Sequence, residues 1–496
     1  MKKANEGKVA FNVRRFKNTF KLLLGNRLSI VGLVLLVLFI VVALAAPLIY
    51  TSNPQKVIVG SQLAQPEWVS LFPEGYYLSR NMVVVDDPSF STPSSLREWS
   101  YQVSSTAQAP YVSYSYSSSA PATIGGSLEI SSTSSANVTT TVSKSFHYPF
   151  RGPPGIFQVD IKGDKFTAKV DGISSSQQVS LKVFIDKGDK RWTLWSVNVT
   201  QMQTGTWLSP SYPLSSNDYA FDTVMGIRGG LSAAETIFPT AADYSYGLEA
   251  TFQGPATVHV TGLGLTLLGT SYGLMGTDNF GTDLFAQDIY GARISLLVGL
   301  LAAFIGISLG LLIGMLAGFK AGLTDEVLMR FTDMMLVIPS LPLLLVLIGV
   351  LGPNLINIII IIGLLGWMGF ARVIRSQILS LKERPFIEAA RAAGAGTRRI
   401  LTSHVFPNIV SLTYVNLALS VPAAILTEAA LSFLGLGDPI SPSWGQILHN
   451  AQSFGNLDKW WWVVPPGISI ALISLSFVLI GYALDELFNP KLRRRR

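Results

Sequence analysis

The chain offers few groups able to do covalent chemistry. It contains no Cys, which removes thiolate nucleophiles, disulfides and thiolate metal sites. Its four histidines, His147, His259, His404 and His449, are scattered with no metal-ligand spacing. No Gly-x4-Gly-Lys-Ser/Thr stretch is present to cradle nucleotide phosphates. No Gly-x-Ser-x-Gly element presents a nucleophilic serine. The run Asp186-Lys187-Gly188-Asp189-Lys190 lacks the ligand count of a calcium loop and reads as a solvated hairpin turn. No catalytic residue and no metal site are therefore assigned. Two carboxylates stand out instead, Glu428 and Asp333, because they fall within apolar runs, where ionisable groups are costly and mark function or span structure by default. Glu428 reads first as a group that holds its span in place. Asp333 reads as an interfacial group beside Arg330. Trp460, Trp461 and Trp462 read as an interfacial aromatic belt rather than a ligand cage.

One polar gap interrupts the apolar C-terminal half, "RVIRSQILSLKERPFIEAARAAGAGTRRILTSHVFPN". Pro385 can open a helix there. Phe386, Ala389, Ala390 and Ala393 follow at helical spacing and share a face. Gly394 and Gly396 end the helix, and Thr397 can cap a second one. A short helix with one aromatic anchor and an Ala face allows close backbone approach, which suits a groove on another protein. It equally suits an amphipathic helix lying in lipid headgroups, its Arg toward phosphate. The residues alone leave both readings open.

The elements around this gap belong to a membrane. Only 14% of residues are charged, against roughly 25% in a typical soluble domain. About 20 apolar residues cross a bilayer. Six runs qualify, at 28–50, 292–318, 334–352, 354–371, 409–431 and 463–484. Ala43-Leu44-Ala45 gives the first run a rival reading as a signal peptide, but its length favours an uncleaved anchor. Eight Lys/Arg lie in residues 1–27, seven in 372–406 and five in 485–496, whereas the loop 432–462 has only Lys459. The positive-inside rule then places both termini and the gap in the cytoplasm. Six spans satisfy all three placements and leave residues 51–275 outside the cell. The basic residues flank spans rather than a soluble face, so nucleic acid is not a partner.

The inserted segment is acidic, with 13 Lys/Arg against 19 Asp/Glu over residues 51–291. Around 100–145 it is Ser/Thr-rich, which reads as a flexible tether. Period-two runs follow, among them "QVSLKVFIDKG" and "RWTLWSVNVT", and predict a β-sandwich. Asn137 and Asn198 each open an Asn-Val-Thr sequon usable outside the cell. From these features alone, a membrane-anchored extracellular binding or adhesion protein is one reading, though it leaves the later spans and the gap unexplained.

The gap resembles the EAA loop of ABC importer permeases, carried by Glu388, Ala389, Ala390, Gly394 and Phe406-Pro407. Three further stretches are similar to the C-type permease of oligopeptide/dipeptide importers: "GTDNFGTDLFAQDIYGARISLLVG", "TEAALSFLGLGDPISPSWGQIL" and "PPGISIALISLSFVLIGYALDELFNPKLR". Thr282 departs from the Arg usual in that branch, and the external segment is much larger than usual. The resemblance implies a type I ABC importer permease fold: an all-α polytopic core of six transmembrane helices, here with a large inserted extracellular β-rich domain. Its parts would be a cytoplasmic segment 1–27, a first helix 28–50, the β-rich domain 51–275, a five-helix core 276–484 containing the loop 372–407, and a basic tail 485–496. The resemblance also implies the partners: a second permease subunit in a heterodimer, two ATP-binding subunits that hold ATP and Mg, and an extracellular substrate-binding protein. Pro385, Phe386, Glu388, Ala389, Ala390, Arg391 and Gly394 would couple to the ATP-binding subunit. The chain itself would be no enzyme and need no cofactor. Its cargo would be peptides or, as in other members of the branch, oligosaccharides. The acidic insert would help receive the binding protein.

Overall fold

The computed structural model describes residues 27–51, 53–121, 125–159, 165–174, 177–227 and 232–488. The expected N-terminal segment, apart from Arg27, and residues 489–496 of the expected tail lie outside the described residues. Two compact units form, Met1–Lys56 with Leu284–Arg496, and Val57–Asp283.

The first unit is helical: α1 (Arg27–Ile49), α2 (Leu284–Lys320), α3 (Gly322–Val337), α4 (Ser340–Leu351), α5 (Leu355–Leu365), α6 (Met368–Lys382), α7 (Pro385–Ala392), α8 (Thr397–Ile400), α9 (Phe406–Leu431), α10 (Trp444–Ser453) and α11 (Trp460–Phe488). Among the described residues five stretches are long and apolar enough to cross a bilayer: Arg27–Ile49, Leu284–Lys320, Leu355–Lys382, Thr397–Leu436 and Trp460–Leu487. The pair α3 and α4, bent by 88°, would supply a sixth. The expected unbroken span 334–352 is thus corrected to two helices. Pro339 excludes the helical conformation from the residue before it, and Ile338 is extended at φ −73°, ψ 125°. The expected span 354–371 runs on instead to Lys382, because Ile374 and Ile378 continue its buried face.

Lipid tails supply no hydrophobic drive between helices, so close packing depends on small residues. In α2, Gly306, Gly310, Gly314 and Gly318 recur every fourth position against α5 and α6 and the turn between them. A Cβ at Gly310 would lie 2.7 Å from the Trp367 carbonyl oxygen, and one at Gly314 only 2.6 Å from that of Ala371. The first helix belongs to the same packing: a Cβ on Gly32 would meet the Ser476 carbonyl oxygen of α11 at 2.9 Å.

Among its described residues the second unit holds thirteen strands, with β2 (Ser100–Val103), β3 (Val112–Ser117), β4 (Ser127–Ser132), β5 (Asn137–Tyr148), β7 (Thr167–Asp171), β8 (Gln178–Lys187), β9 (Lys190–Thr200), β10 (Trp207–Leu208), β11 (Ala242–Gln253) and β12 (Ala256–Thr261) in two five-stranded sheets. Their orders are β10-β7-β12-β4-β3 and β2-β5-β11-β8-β9, and β1 (Met82–Val83), β13 (Thr266–Leu268) and β6 (Ile156–Gln158) form a small third sheet. Ile130 and Val258 of one large sheet share a buried core with Val142 and Leu248 of the other, a sandwich. The expected tether at 100–145 is corrected: it supplies β2 to β5. Its Ser/Thr content hides a period of two. In β3, Ser113 and Ser115 face solvent while Val112 and Tyr114 are half-buried, and in β5, Val138, Thr140 and Val142 point inward. Residues 186–190 are the predicted hairpin turn, with Lys187 opposite Lys190, Gly188 at φ +57° and Arg191 donating to both carboxylate oxygens of Asp186 at 2.8 Å. The unit extends beyond the expected end at 275. The Val59 N–H donates to the Gly281 carbonyl at 2.8 Å and the Leu63 N–H to that of Asp278 at 2.9 Å, folding 278–283 onto its first residues.

Candidate coupling site

The small-residue helix is α7, and it follows α6 after a two-residue turn, Glu383-Arg384. Arg384 is extended (φ −81°, ψ 140°) and Pro385 takes the first helical position, where its missing N–H removes no bond. The C-terminus is a Schellman closure. The Gly394 N–H donates to the Arg391 carbonyl and the Ala395 N–H to that of Ala390, both at 3.0 Å, with Gly394 at φ +81°. Gly396, expected to help end this helix, instead caps α8. Thr397, expected as that cap, is the first residue of α8. The ring of close bonds around Gly394 uses up the turn, so the next helix starts one residue earlier than the Thr signal suggests.

Ile387 fixes the helix to its own unit. It is fully buried in a cluster with Ile374 and Ile378 of α6, Ile400 of α8 and Ile409 of α9, against which Ala390 and Ala395 also pack. The expected shared face is therefore split. Ala390 turns inward, while Phe386, Glu388, Ala389, Arg391 and Ala393 are exposed. The anchor inside the unit is Ile387, and Phe386, 43% exposed, projects away. Phe386, Ala389 and Ala393 form an outward stripe at i, i+3, i+7. Ile387 escaped the sequence reading because its cluster partners Ile400 and Ile409 are remote from it in the chain.

Two ion pairs join α6, which carries α7, to α3. Arg375 donates to both oxygens of Asp325, Nε at 2.5 Å and Nη2 at 2.6 Å. Arg372 pairs with Asp333. The partner of Asp333 is thus Arg372 of a different helix, rather than its neighbour Arg330. A cleft of about 240 Å³ opens beside them, lined by Met329, Arg330 and Arg375 among others. Bidentate pairing of this kind adds geometric specificity as well as energy. Asp325→Ala and Arg375→Ala should each lower the thermal midpoint in detergent, and a double-mutant cycle should return a coupling energy of about 1 kcal/mol. Additive single effects would show that the pair holds nothing.

Glu428 is apart from this site. It is 2% exposed within α9 and accepts from Ser432 Oγ at 2.7 Å and from Ser295 Oγ of α2 at 3.5 Å. A partly buried carboxylate of the same unit escapes the sequence reading because it precedes the expected span: Asp288 of α2 accepts from Ser469 Oγ of α11 at 3.0 Å. A helical reading of "AQDIYGARIS" would have found it. The expected belt of three tryptophans is corrected too. Trp460 is exposed, but Trp461 and Trp462 are 7% and 1% exposed, since successive positions of a helix point 100° apart and cannot all face one way. The sequons Asn137 and Asn198 both lie exposed on strands, β5 and β9.

A helical core with five long apolar stretches among the described residues, glycine-packed and bearing a short outward helix at one loop, is that of a polytopic membrane protein. The family described as the binding-protein-dependent transport system inner membrane component matches residues 310–494, and the N-terminal transmembrane domain of oligopeptide transport permease C matches residues 15–66. The chain is 38% identical over 221 residues to the dipeptide transport system permease protein DppC of Bacillus subtilis (strain 168), covering 44% of this chain and 69% of that one. It is 40% identical over 222 residues to the probable peptide ABC transporter permease protein y4tQ of Sinorhizobium fredii (strain NBRC 101917 / NGR234), covering 45% and 76%. The oligopeptide transport system permease protein OppC of B. subtilis is 38% identical over 220 residues, covering 44% and 72%. The chain belongs to this family of ABC transporter permeases, in its oligopeptide/dipeptide branch. Neither family match reaches into residues 67–309.

Proposed function

We propose that the chain forms half of the translocation pathway of an ATP-driven peptide importer and couples to an ATP-binding subunit through α7. The observation that carries this is the geometry of α7. One side is held by Ile387 and the other presents Phe386, Ala389 and Ala393 outward, with Glu388 and Arg391 flanking the stripe. A helix clamped at its base and bare at its surface transmits displacement into α6 and α9. The peptide-permease names of the relatives support peptide rather than oligosaccharide cargo. The adhesion reading would leave α7 without a purpose.

In this scheme a second permease subunit completes the pathway, and two ATP-binding subunits hold ATP and Mg. Both termini and α7 face the cytoplasm, and the β unit faces outside. There its acidic surface helps receive a substrate-binding protein, an effect on association rate more than on affinity, and Asn137 and Asn198 are available as glycan acceptors. Closure of the ATP-binding pair carries α7 with it and switches the helical core from inward- to outward-facing, and hydrolysis resets it. Glu428 holds α9 against α2 rather than touching cargo, and Asp333 steadies α3 on α6. The purified, partner-free chain should show no ATP turnover. Adding the ATP-binding subunits should bring turnover that the loaded binding protein stimulates. Turnover by the chain alone would defeat the proposal.

A further inference from the structure

The β unit carries an apolar surface that none of the roles above uses. Two short 3-10 turns, Glu67–Leu71 and Pro73–Gly75, raise Trp68, Leu71, Phe72, Tyr76 and Tyr77 at the surface, and Leu274 lies beside them. Leu71 is 81% exposed, Tyr77 68% and Leu274 61%. Monomeric domains rarely leave so many large apolar side chains together in water. The patch is built rather than frayed. The Trp68 indole N–H donates to the Leu274 carbonyl at 2.9 Å. The Glu67 N–H donates to the Gly273 carbonyl at 2.9 Å, and the Gly273 N–H returns a bond to Glu67 Oε1 at 3.3 Å. Trp68 and Phe72 meet edge to face with centroids 6.3 Å apart.

We propose that this patch seats the β unit on the bilayer, its aromatic rings at headgroup depth. Chain continuity supplies the first argument. Asp283 ends the β unit and Leu284 begins the membrane helix α2 with no residue between. Leu274 stands ten residues before that helix, so even a fully extended chain would keep it within about 35 Å. The intervening residues are not extended but bonded back: the Thr277 N–H donates to the Ala64 carbonyl at 2.9 Å, and Ala64 N–H to Thr277 Oγ1 at 2.8 Å. On the other strand of the connection, Val57 begins the unit eight residues after α1 ends at Ile49. The patch thus lies within reach of the segment that enters α2, and the bonds between Ala64 and Thr277 tie the connection from α1 to the same place. Residue type supplies the second argument. Indole and phenol rings pair an apolar body with a polar tip and concentrate at membrane–water interfaces. At the rim the Arg151 guanidinium lies 3.9 Å from the Tyr76 ring centroid, a cation placed where lipid phosphate would meet it. The inference rests on α1 and α2 being membrane helices and not on which side the β unit occupies or what the protein carries.

Because the chain has no Cys, single labels can be placed without removing any. Phe72→Cys and Tyr77→Cys would carry an environment-sensitive fluorophore in the full chain, reconstituted into vesicles containing headgroup-nitroxide lipid. Met202→Cys, at a side chain 97% exposed in the same unit, is the reference. Labels at 72 and 77 should be quenched at least threefold more than the label at 202. In a Leu71→Asp chain, the label at 77 should fall to the level of 202. Equal quenching at all three positions overturns the proposal. So does protection of 72 and 77 from aqueous iodide without lipid quenching, which would mark a protein partner instead. Circular dichroism of each labelled chain in detergent, matched to the unlabelled chain, shows that the comparison is made on folded protein.

Discussion

Gly394→Val is expected to lower transport about tenfold or more while the chain still inserts into the membrane. No atom of the unit lies within 4 Å of a Cβ built at Gly394, so the substitution meets no clash. Its penalty is in the backbone. At φ +81° an L-residue is strained by about 1–2 kcal/mol, more when β-branched, and about 1.4 kcal/mol changes an equilibrium tenfold. The strain is relieved by opening the Schellman closure, which releases the bonds from Gly394 to Arg391 and from Ala395 to Ala390 and with them the outward stripe. Gly394→Asn, which tolerates the left-handed region, should keep most of the activity, and Gly394→Ala should fall between. Uptake measured against the amount of chain in the membrane fraction checks this. Equal uptake by the Val and Asn variants would show that the turn does not set the coupling geometry.

Gly314→Leu is expected to do something different: to prevent a stable fold. Here the space is already filled. The new Cβ would stand 2.6 Å from the Ala371 carbonyl oxygen and 2.8 Å from Ile374 Cβ, so α2 and α6 must part along their contact. Overpacking of this kind costs about 1–3 kcal/mol even where side chains can shift, and a backbone oxygen cannot rotate away. The yield of monodisperse protein after detergent extraction should fall severalfold. Gly369→Leu is the control, since no atom lies within 4 Å of a Cβ there. Matching yields for the two variants would remove the glycine stripe from any packing role.

The ends of α7 were legible because Pro385 and Gly394 act locally. A fixed φ and a left-handed turn are properties of one residue, and both residues sit at the helix end that needs them. Which side of α7 faces inward was not legible. Ile387 and Phe386 are adjacent and both apolar, and only the remote Ile400 and Ile409 decide between them. Charge pairing failed in the same way at Asp333, whose partner Arg372 lies 39 positions on. In the β unit the strands rich in Val, Ile and Trp are visible in sequence, and those rich in Ser and Thr read as a tether. Composition concealed an alternation that β3 and β5 plainly obey. Length and hydropathy register no bend, so the reading of an unbroken span 334–352 misses the break at Ile338-Pro339, whose one sequence signal is the proline itself.

Coupling through α7 is tested most directly by proximity. Ala389→Cys, in a chain with no other Cys, should form a cross-link of residue-length span to the ATP-binding subunit in the assembled transporter, with a yield that changes on adding ATP. Val350→Cys, at an exposed apolar position of α4, should give none. An active transporter in which neither Ala389→Cys nor Phe386→Cys reaches the ATP-binding subunit in any nucleotide state would contradict the coupling role.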